Sequence, residues 1–405
     1  MQTGTVRTRT KLKRFVIDAI IEPLLPLKML EAYVVFWARL VFRLRKPFVI
    51  GVTGSAGKST TTAMIAAVLS DSRAAAIVGR VGNSVDNMND DIGVAATLLR
   101  FEEPYVLPWS YWRRPIVFLA IPARAMRAVV GDYPKVMVLE IGIGPTASFE
   151  RILTIARPSV AVVTTIGPAH LELTKSIDGV VREKGELVRA VPSSGLVVIG
   201  EGHDYVAQLE TMARAPVIKA SGRGIELSRR ITAVVCAHLG IPNVVVESVL
   251  CNFRNLEGRL NLLQIGDITV IDDSYNATTL SMQLGLDTLS QTAKPGQRRV
   301  AILGHMAALG DESVRYHSEI GNHARRCADV LIGVGDLARH YGPDHWFEDS
   351  KLCANALDTL VHGGDCVFVK GSFAAKMGCV VQGLRDLAVE ERGNGRPSSL
   401  HKQGL

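Results

Sequence analysis

One stretch constrains the fold of this chain more than any other. Phe48-Val49-Ile50-Gly51-Val52 is a short apolar run of strand character. Thr53-Gly54-Ser55-Ala56-Gly57-Lys58-Ser59-Thr60 is a glycine-rich turn after it, and the residues on to Leu69 read as a helix. In a strand–turn–helix of this kind, backbone N–H groups converge on an anion and the helix N-terminus adds partial positive charge. The lysine then reaches the terminal phosphates. Ser59 or Thr60 offers a hydroxyl to Mg²⁺. The match is to the short form T-G-x-x-G-K-[ST], with Val52 where the longer form has glycine. Residues 53–60 are therefore expected to bind ATP.

Beyond the turn, apolar strand candidates recur at Val136–Leu139, Val160–Thr164, Leu196–Ile199, Val270–Ile271, Val300–Leu303, Val330–Val334 and Cys366–Val369, with helix-like stretches between most of them. Such alternation predicts an α/β protein of mostly parallel sheets covered by helices. A second βα series restarts after Leu256–Leu260. The expected organisation is a basic, helical N-terminal arm over 1–46, a central P-loop ATPase domain over 47–256, a C-terminal Rossmann-like α/β domain over 257–392, and a flexible tail over 393–405.

The formal net charge is +7, with basic residues gathered at Arg7, Arg9, Lys11, Lys13 and Arg14 and again at Arg39, Arg43, Arg45 and Lys46. This suits phosphate-bearing ligands or an anionic surface, and no motif points to nucleic acid. Residues 15–46 are apolar with interspersed charges. They read either as a helical arm packed on the first domain or as an interfacial helix in peripheral contact with the inner membrane face. No run of apolar residues is long enough to span a bilayer. The six cysteines form no C-x-x-C pair and no Cys/His cluster of zinc-ligand spacing, which fits buried thiols in a reducing, cytoplasmic compartment; a monomer is expected.

Gly51–Thr61 resembles the phosphate loop of the Mur ligases, the ATP-dependent amide-forming enzymes of peptidoglycan assembly. Asn87-Met88-Asn89-Asp90-Asp91-Ile92-Gly93-Val94, Ile271–Ala277, and Leu303–Gly310 with His317 and Gly321 are similar to segments of the family's D-alanyl-D-alanine-adding branch. They occur in family order between about residues 47 and 385. The resemblance implies that a carboxylate is activated by phosphoryl transfer from ATP and that an amine attacks the acyl phosphate. It implies Glu140, His170, Ser59 and Lys184 as ligands of two Mg²⁺ ions, with Lys184 carbamylated by CO₂. Lys58, Lys184, His170 and Arg259 become the catalytic group, and Asp273 and Asn276 nucleotide contacts. Asn87, Asn89, His317, Lys370 and Ser372 face the acid and amine substrates, in this branch UDP-linked muramoyl tripeptide and D-Ala-D-Ala.

The chain also departs from the pattern. No uridine-nucleotide domain precedes the loop, the segment from Gly200 to Leu256 is abridged, His305 stands where the family usually has Asp, and Phe373 stands in place of an arginine. Two other readings follow from these departures. One is a diverged ligase for another acid–amine pair, and the other a nucleotide-binding partner protein without turnover.

Overall fold

The computed structural model describes residues 27–84, 88–101, 115–143 and 149–393. The basic run at 7–14, Asn87 and most of the C-terminal tail lie outside them. Helix α1 (Leu27–Arg45) leads into β1 (Phe48–Thr53), and the loop then opens α2 (Lys58–Ser70). With β2 (Val81–Asn83), β3 (Val136–Glu140), β4 (Val160–Val163), β5 (Leu196–Gly200) and β6 (Val217–Ala220), β1 forms a six-stranded, all-parallel sheet in the order β2-β3-β1-β4-β5-β6. The inner strands are buried along nearly their whole length. Covering both faces of a parallel sheet requires this, and it explains why these strands read as unbroken apolar runs. Val49, Leu139 and Ala161 join the core on one face. Ile50, Val52, Val138 and Val162 meet Met64, Ile65 and Leu69 of α2 on the other.

Helices α3 (Asp91–Leu98), α4 (Pro115–Val130) and α5 (Phe149–Ile155) lie beside α1. Val34, Val35, Ala38 and Val41 form the buried inner face of α1. Glu31 on that helix is buried and paired with Arg151 at 3.3 Å, which also binds the buried Asp91 at 2.6 Å. Helices α6 (Ile177–Ala190) and α7 (Gly224–His238) also belong to the first unit.

A second sheet contains β7 (Asn261–Ile265), β8 (Ile268–Asp273), β9 (Arg299–Gly304), β10 (Val330–Val334), β11 (His345–Phe347) and β12 (Cys366–Lys370) in the order β11-β10-β9-β12-β8-β7. Only the β7–β8 hairpin is antiparallel. Helices α8 (Thr279–Thr292) and α9 (Ser313–Cys327) cover one face. The expected fold class is thus present. The two units touch where the loop after β4 meets the loop after β9: Glu172 N–H donates to Ala308 C=O at 3.4 Å. No single described helix is long and apolar enough to cross a membrane.

Candidate active site

Strand order determines which residues meet. β1 lies between β3 and β4, so the chain reverses direction across the sheet at β1. Ligands of open α/β sheets gather at the carboxyl edge of such a switch point. Glu140 ends β3 in register with Val52, and the turn after β4 leads to His170. Both flank the phosphate loop.

The loop itself is held from the side. Thr164 Oγ1 donates to Thr53 C=O at 3.2 Å and to Ala56 C=O at 2.5 Å. Ser55 Oγ donates to Gly167 C=O at 2.8 Å and accepts from Gly167 N–H at 3.0 Å. The N–H groups of Ser55 and Ala56 donate to Thr165, at 2.7 and 3.0 Å. These two residues therefore buttress the loop, contrary to the expectation that their amides face phosphate. The donors left for an anion are the first-turn N–H groups of α2, which have no intrahelical acceptor. Gly57 sits at the entry to α2 with φ 81°, a left-handed conformation suited to glycine. A Cβ on Gly54 would come within 1.9 Å of Thr164 Oγ1. Lys58 Nζ donates to Gly54 C=O at 3.0 Å, folded back over its own loop.

Around the loop, charges converge. Glu140 is buried, and Asn89 Nδ2 donates to its Oε1 at 2.9 Å. Asn89 thus orients Glu140. Lys184 on α6 is buried, with Nζ 5.8 Å from the Phe149 ring centroid. Burial pushes its ammonium down to about 7; Lys58 adds to the fall, while Glu183 and Glu140 oppose it. His170 is pushed down to about 4, first by burial and then by Lys58 and Lys184. The ring is therefore neutral at pH 7, as a metal ligand must be. His170 also has φ 56°, an uncommon value for a side-chain-bearing residue. Burial lowers Lys58 as well, with Glu140 raising it and Arg259 lowering it. Lys58, Glu140, His170, Lys184 and Arg259 thus form one electrostatic cluster to which both sheets contribute.

At the carboxyl edge of the second sheet, Arg259 lies over the Tyr275 ring, 4.0 Å from its centroid. Phe373 is 64% exposed and packs 5.9 Å from the same ring. Asn276 is exposed, and its side chain accepts from Ala277 N–H at 2.8 Å. Several expected substrate residues turn out to be internal. Lys370 is buried, paired with Asp273, and donates to Asn276 C=O at 2.7 Å. Burial pushes Asp273 up and Lys370 down, and each partner opposes the other's shift. Asp273 also accepts from Leu260 N–H at 3.1 Å, beside Arg259. The Asp273–Lys370 pair therefore props the turn from beneath. His317 is fully buried: Nε2 accepts from Met306 N–H at 2.9 Å, and Nδ1 donates to Ser313 C=O at 2.6 Å. Ser372 is buried too, its N–H donating to His305 C=O. Neither side chain is exposed.

Thr164, Thr165 and Ser228 escape a reading of the sequence. Ser228 Oγ accepts from Thr61 Oγ1 at 2.9 Å and ties α7 to α2. The only signal of Thr164 and Thr165 is a polar pair closing an apolar run, which acquires meaning once β4 is known to adjoin β1. A three-donor cluster also goes unnoticed. The ligand atoms of Asp287, His323 and Cys327 lie within 4.8 Å of one another. His323 Nδ1 accepts from Arg326 at 3.1 Å, leaving Nε2–H to donate to Asp287 at 2.8 Å. The ring is thus committed to a hydrogen-bond chain on the α8–α9 surface.

A loop of this kind on a parallel sheet, facing a second Rossmann-like sheet that contributes an arginine, defines a P-loop nucleotide-dependent α/β protein. Residues 52–106 and 121–237 match the Mur ligase middle domain, and residues 258–373 match the Mur ligase glutamate ligase domain. The chain belongs to the Mur ligase family and carries its middle and C-terminal domains. It is 25% identical over 385 residues to the UDP-N-acetylmuramoyl-tripeptide–D-alanyl-D-alanine ligase of Escherichia coli K12, spanning 84% of this chain and 77% of that one. It is 28% identical over 417 residues to the Mycobacterium tuberculosis H37Rv enzyme of the same name, spanning 86% and 74%. Its fold is that of the MurF ligase from Thermotoga maritima in complex with ADP, with TM-score 0.71, 19% identity and coverage of 89% and 84%. It also resembles E. coli FolC in complex with ADP, with TM-score 0.62, 16% identity and coverage of 93% and 97%.

Proposed function

We propose that this chain is an ATP-dependent ligase that joins a carboxylic acid to an amine. The acid is a UDP-linked muramoyl tripeptide and the amine is D-Ala-D-Ala, the substrates that the names of its relatives print. A carboxylate oxygen of the acid attacks the γ-phosphorus of ATP and ADP leaves. The amine then attacks the acyl carbon, inorganic phosphate departs with the former carboxylate oxygen, and the amine loses a proton.

The observation carrying this reading is the five-residue cluster. Lys58 and Arg259 approach from opposite units, so phosphoryl charge developing between them meets two cations already in place. Arg259 is suited to this by its planar fork, which lies over the Tyr275 face. Glu140, His170 and the Ser59 hydroxyl are the residues that would hold Mg²⁺, which neutralises phosphate charge when bound. Glu140 is already oriented by Asn89, and His170 already has a free lone pair at neutral pH. Lys184 is the residue that would bear a carbamate, whose anionic oxygens suit a second Mg²⁺. An amine held near 7 is substantially uncharged under physiological conditions, and the uncharged form is the one that adds CO₂. ATP and a UDP-linked acid place the reaction in the cytoplasm.

The test is purified chain with Mg-ATP, bicarbonate, UDP-muramoyl tripeptide and D-Ala-D-Ala, following phosphate release and product mass. Stoichiometric ADP, phosphate and muramoyl pentapeptide are expected. ATP turnover only with other acid–amine pairs would reassign the substrates, and ATP binding without turnover on any pair would overturn the ligase reading.

A further inference from the structure

Helix α1 is apolar on both sides. Its inner face is satisfied by the core, yet the opposite face presents Met29, Phe36 and Leu44 at 58%, 59% and 57% exposure. These three fall on one stripe at helical spacing, with the half-buried Tyr33 and Leu40 between them. Phe36 and Tyr33 both pack edge-on against Trp37, at 5.5 and 6.2 Å between centroids. The neighbouring α4 adds Met126 and Val130 at 61% and 74%. A helix covered on one side and facing water on the other should be polar outward. Exposed apolar side chains gathered on two adjoining helices mark a binding face.

Charge selects the occupant. Arg39, Arg43, Arg45 and Lys46 lie towards the end of α1 and just beyond it, and Arg124 and Arg127 on α4. The only acid on either helix is Glu31, which is buried against Arg151. The first acid after α4, Asp132, is paired with Arg80 at 2.7 Å. Arg39, Arg45 and Arg124 are partly committed, donating to Thr154 Oγ1, to Val129 and Gly131 C=O, and to Arg100 C=O respectively, whereas Arg43, Lys46 and Arg127 are exposed. The sequence ahead of α1 adds Arg7, Arg9, Lys11, Lys13 and Arg14 against Asp18 and Glu22. Exposed aromatic and aliphatic side chains on two helices that carry cations and no exposed acid of their own match the interface of an anionic bilayer. There apolar groups enter the acyl boundary and cations stay among the headgroups.

We infer that the outward face of α1, with Met126 and Val130 of α4, docks this chain onto an anionic phospholipid surface as a peripheral contact. An amphipathic helix of this length with five charged residues lies on a bilayer and does not cross it. The substrate site is thereby held at a membrane surface, independently of which acid and amine are joined.

Flotation of the full chain with vesicles tests this, using phosphatidylcholine alone and phosphatidylcholine with 30% phosphatidylglycerol. Binding to the anionic vesicles only is expected, falling at least fivefold between 50 and 300 mM salt. Phe36→Glu should lower it at least tenfold, and Arg43→Glu with Arg127→Glu severalfold. Met126→Glu on the separate helix keeps the test decisive should Phe36→Glu fail to fold. Unaltered ATP binding and melting temperature define a folded variant. No flotation of the wild-type chain, or equal flotation of the folded glutamate variants, would overturn the inference. So would self-association that Phe36→Glu abolishes without any vesicle binding, which would assign the face to a second copy.

Discussion

Replacing Lys184 by methionine should stabilise the folded chain at neutral pH while ending turnover. The side chain is 1% exposed, and burial holds its ammonium at about 7 against an ordinary value of 10.5. That difference is worth roughly 4–5 kcal/mol. The folded-state pKa lies below the unfolded one, so between about pH 7 and 10.5 the unfolded chain holds a proton that the folded chain has lost. The burial cost is therefore greatest below pH 7 and fades as pH rises through that window, by up to ~1.4 kcal/mol per pH unit. Methionine has nearly the same length and no charge to bury. Urea unfolding of both proteins in EDTA and CO₂-depleted buffer should show the variant about 4 kcal/mol more stable at pH 7 and about 1 kcal/mol more stable at pH 9.5. Added bicarbonate should stabilise the wild type alone, by trapping the uncharged amine. The variant should still bind ATP and lose at least ~100-fold in kcat, in line with the trade between stability and activity at buried functional charges. A variant no more stable than wild type, or a stability difference that does not change with pH, would refute the reasoning.

Other positions give sharper local tests. Lys370→Met leaves Asp273 buried without its partner and should cost about 3–5 kcal/mol in urea unfolding; adding Asp273→Asn should recover most of it. If the pair instead faced the amine substrate, the loss would appear in the amine KM with stability unchanged. Gly54→Ala drives a methyl onto Thr164 Oγ1 and should weaken ATP binding at least ~10-fold by calorimetry, with the fold retained. Arg259→Lys keeps the charge but loses the fork that lies over Tyr275; kcat should fall roughly 10–100-fold with the ATP KM little changed.

The sequence disclosed the buried parts of the fold and concealed the edges. Each strand expected from an apolar run is present, and the four not expected are β2, β6, β7 and β11, the outermost strands of the two sheets. Edge strands cover less surface, so Val81–Asn83 and His345–Phe347 have no apolar run to betray them. In the site, Gly57 at a helix entry was legible from the local pattern, whereas Glu140 and Lys184 were reached through the family resemblance. Residues governed by strand order were not legible. Thr164 and Thr165 buttress the loop only because β4 lies beside β1. Lys370 pairs with Asp273 because β12 lies beside β8 in that register. A motif position gave no hint that this lysine points under the turn.

The central claim is that ATP activates a carboxylate by direct phosphoryl transfer. Oxygen tracing tests it most directly. The acid substrate, labelled with ¹⁸O in its reacting carboxylate, is turned over with unlabelled ATP and the amine, and the released phosphate is analysed by mass. One ¹⁸O atom per phosphate, with ADP as the other product, is the expected result. Label in AMP, or unlabelled phosphate accompanying amide formation, would contradict the account.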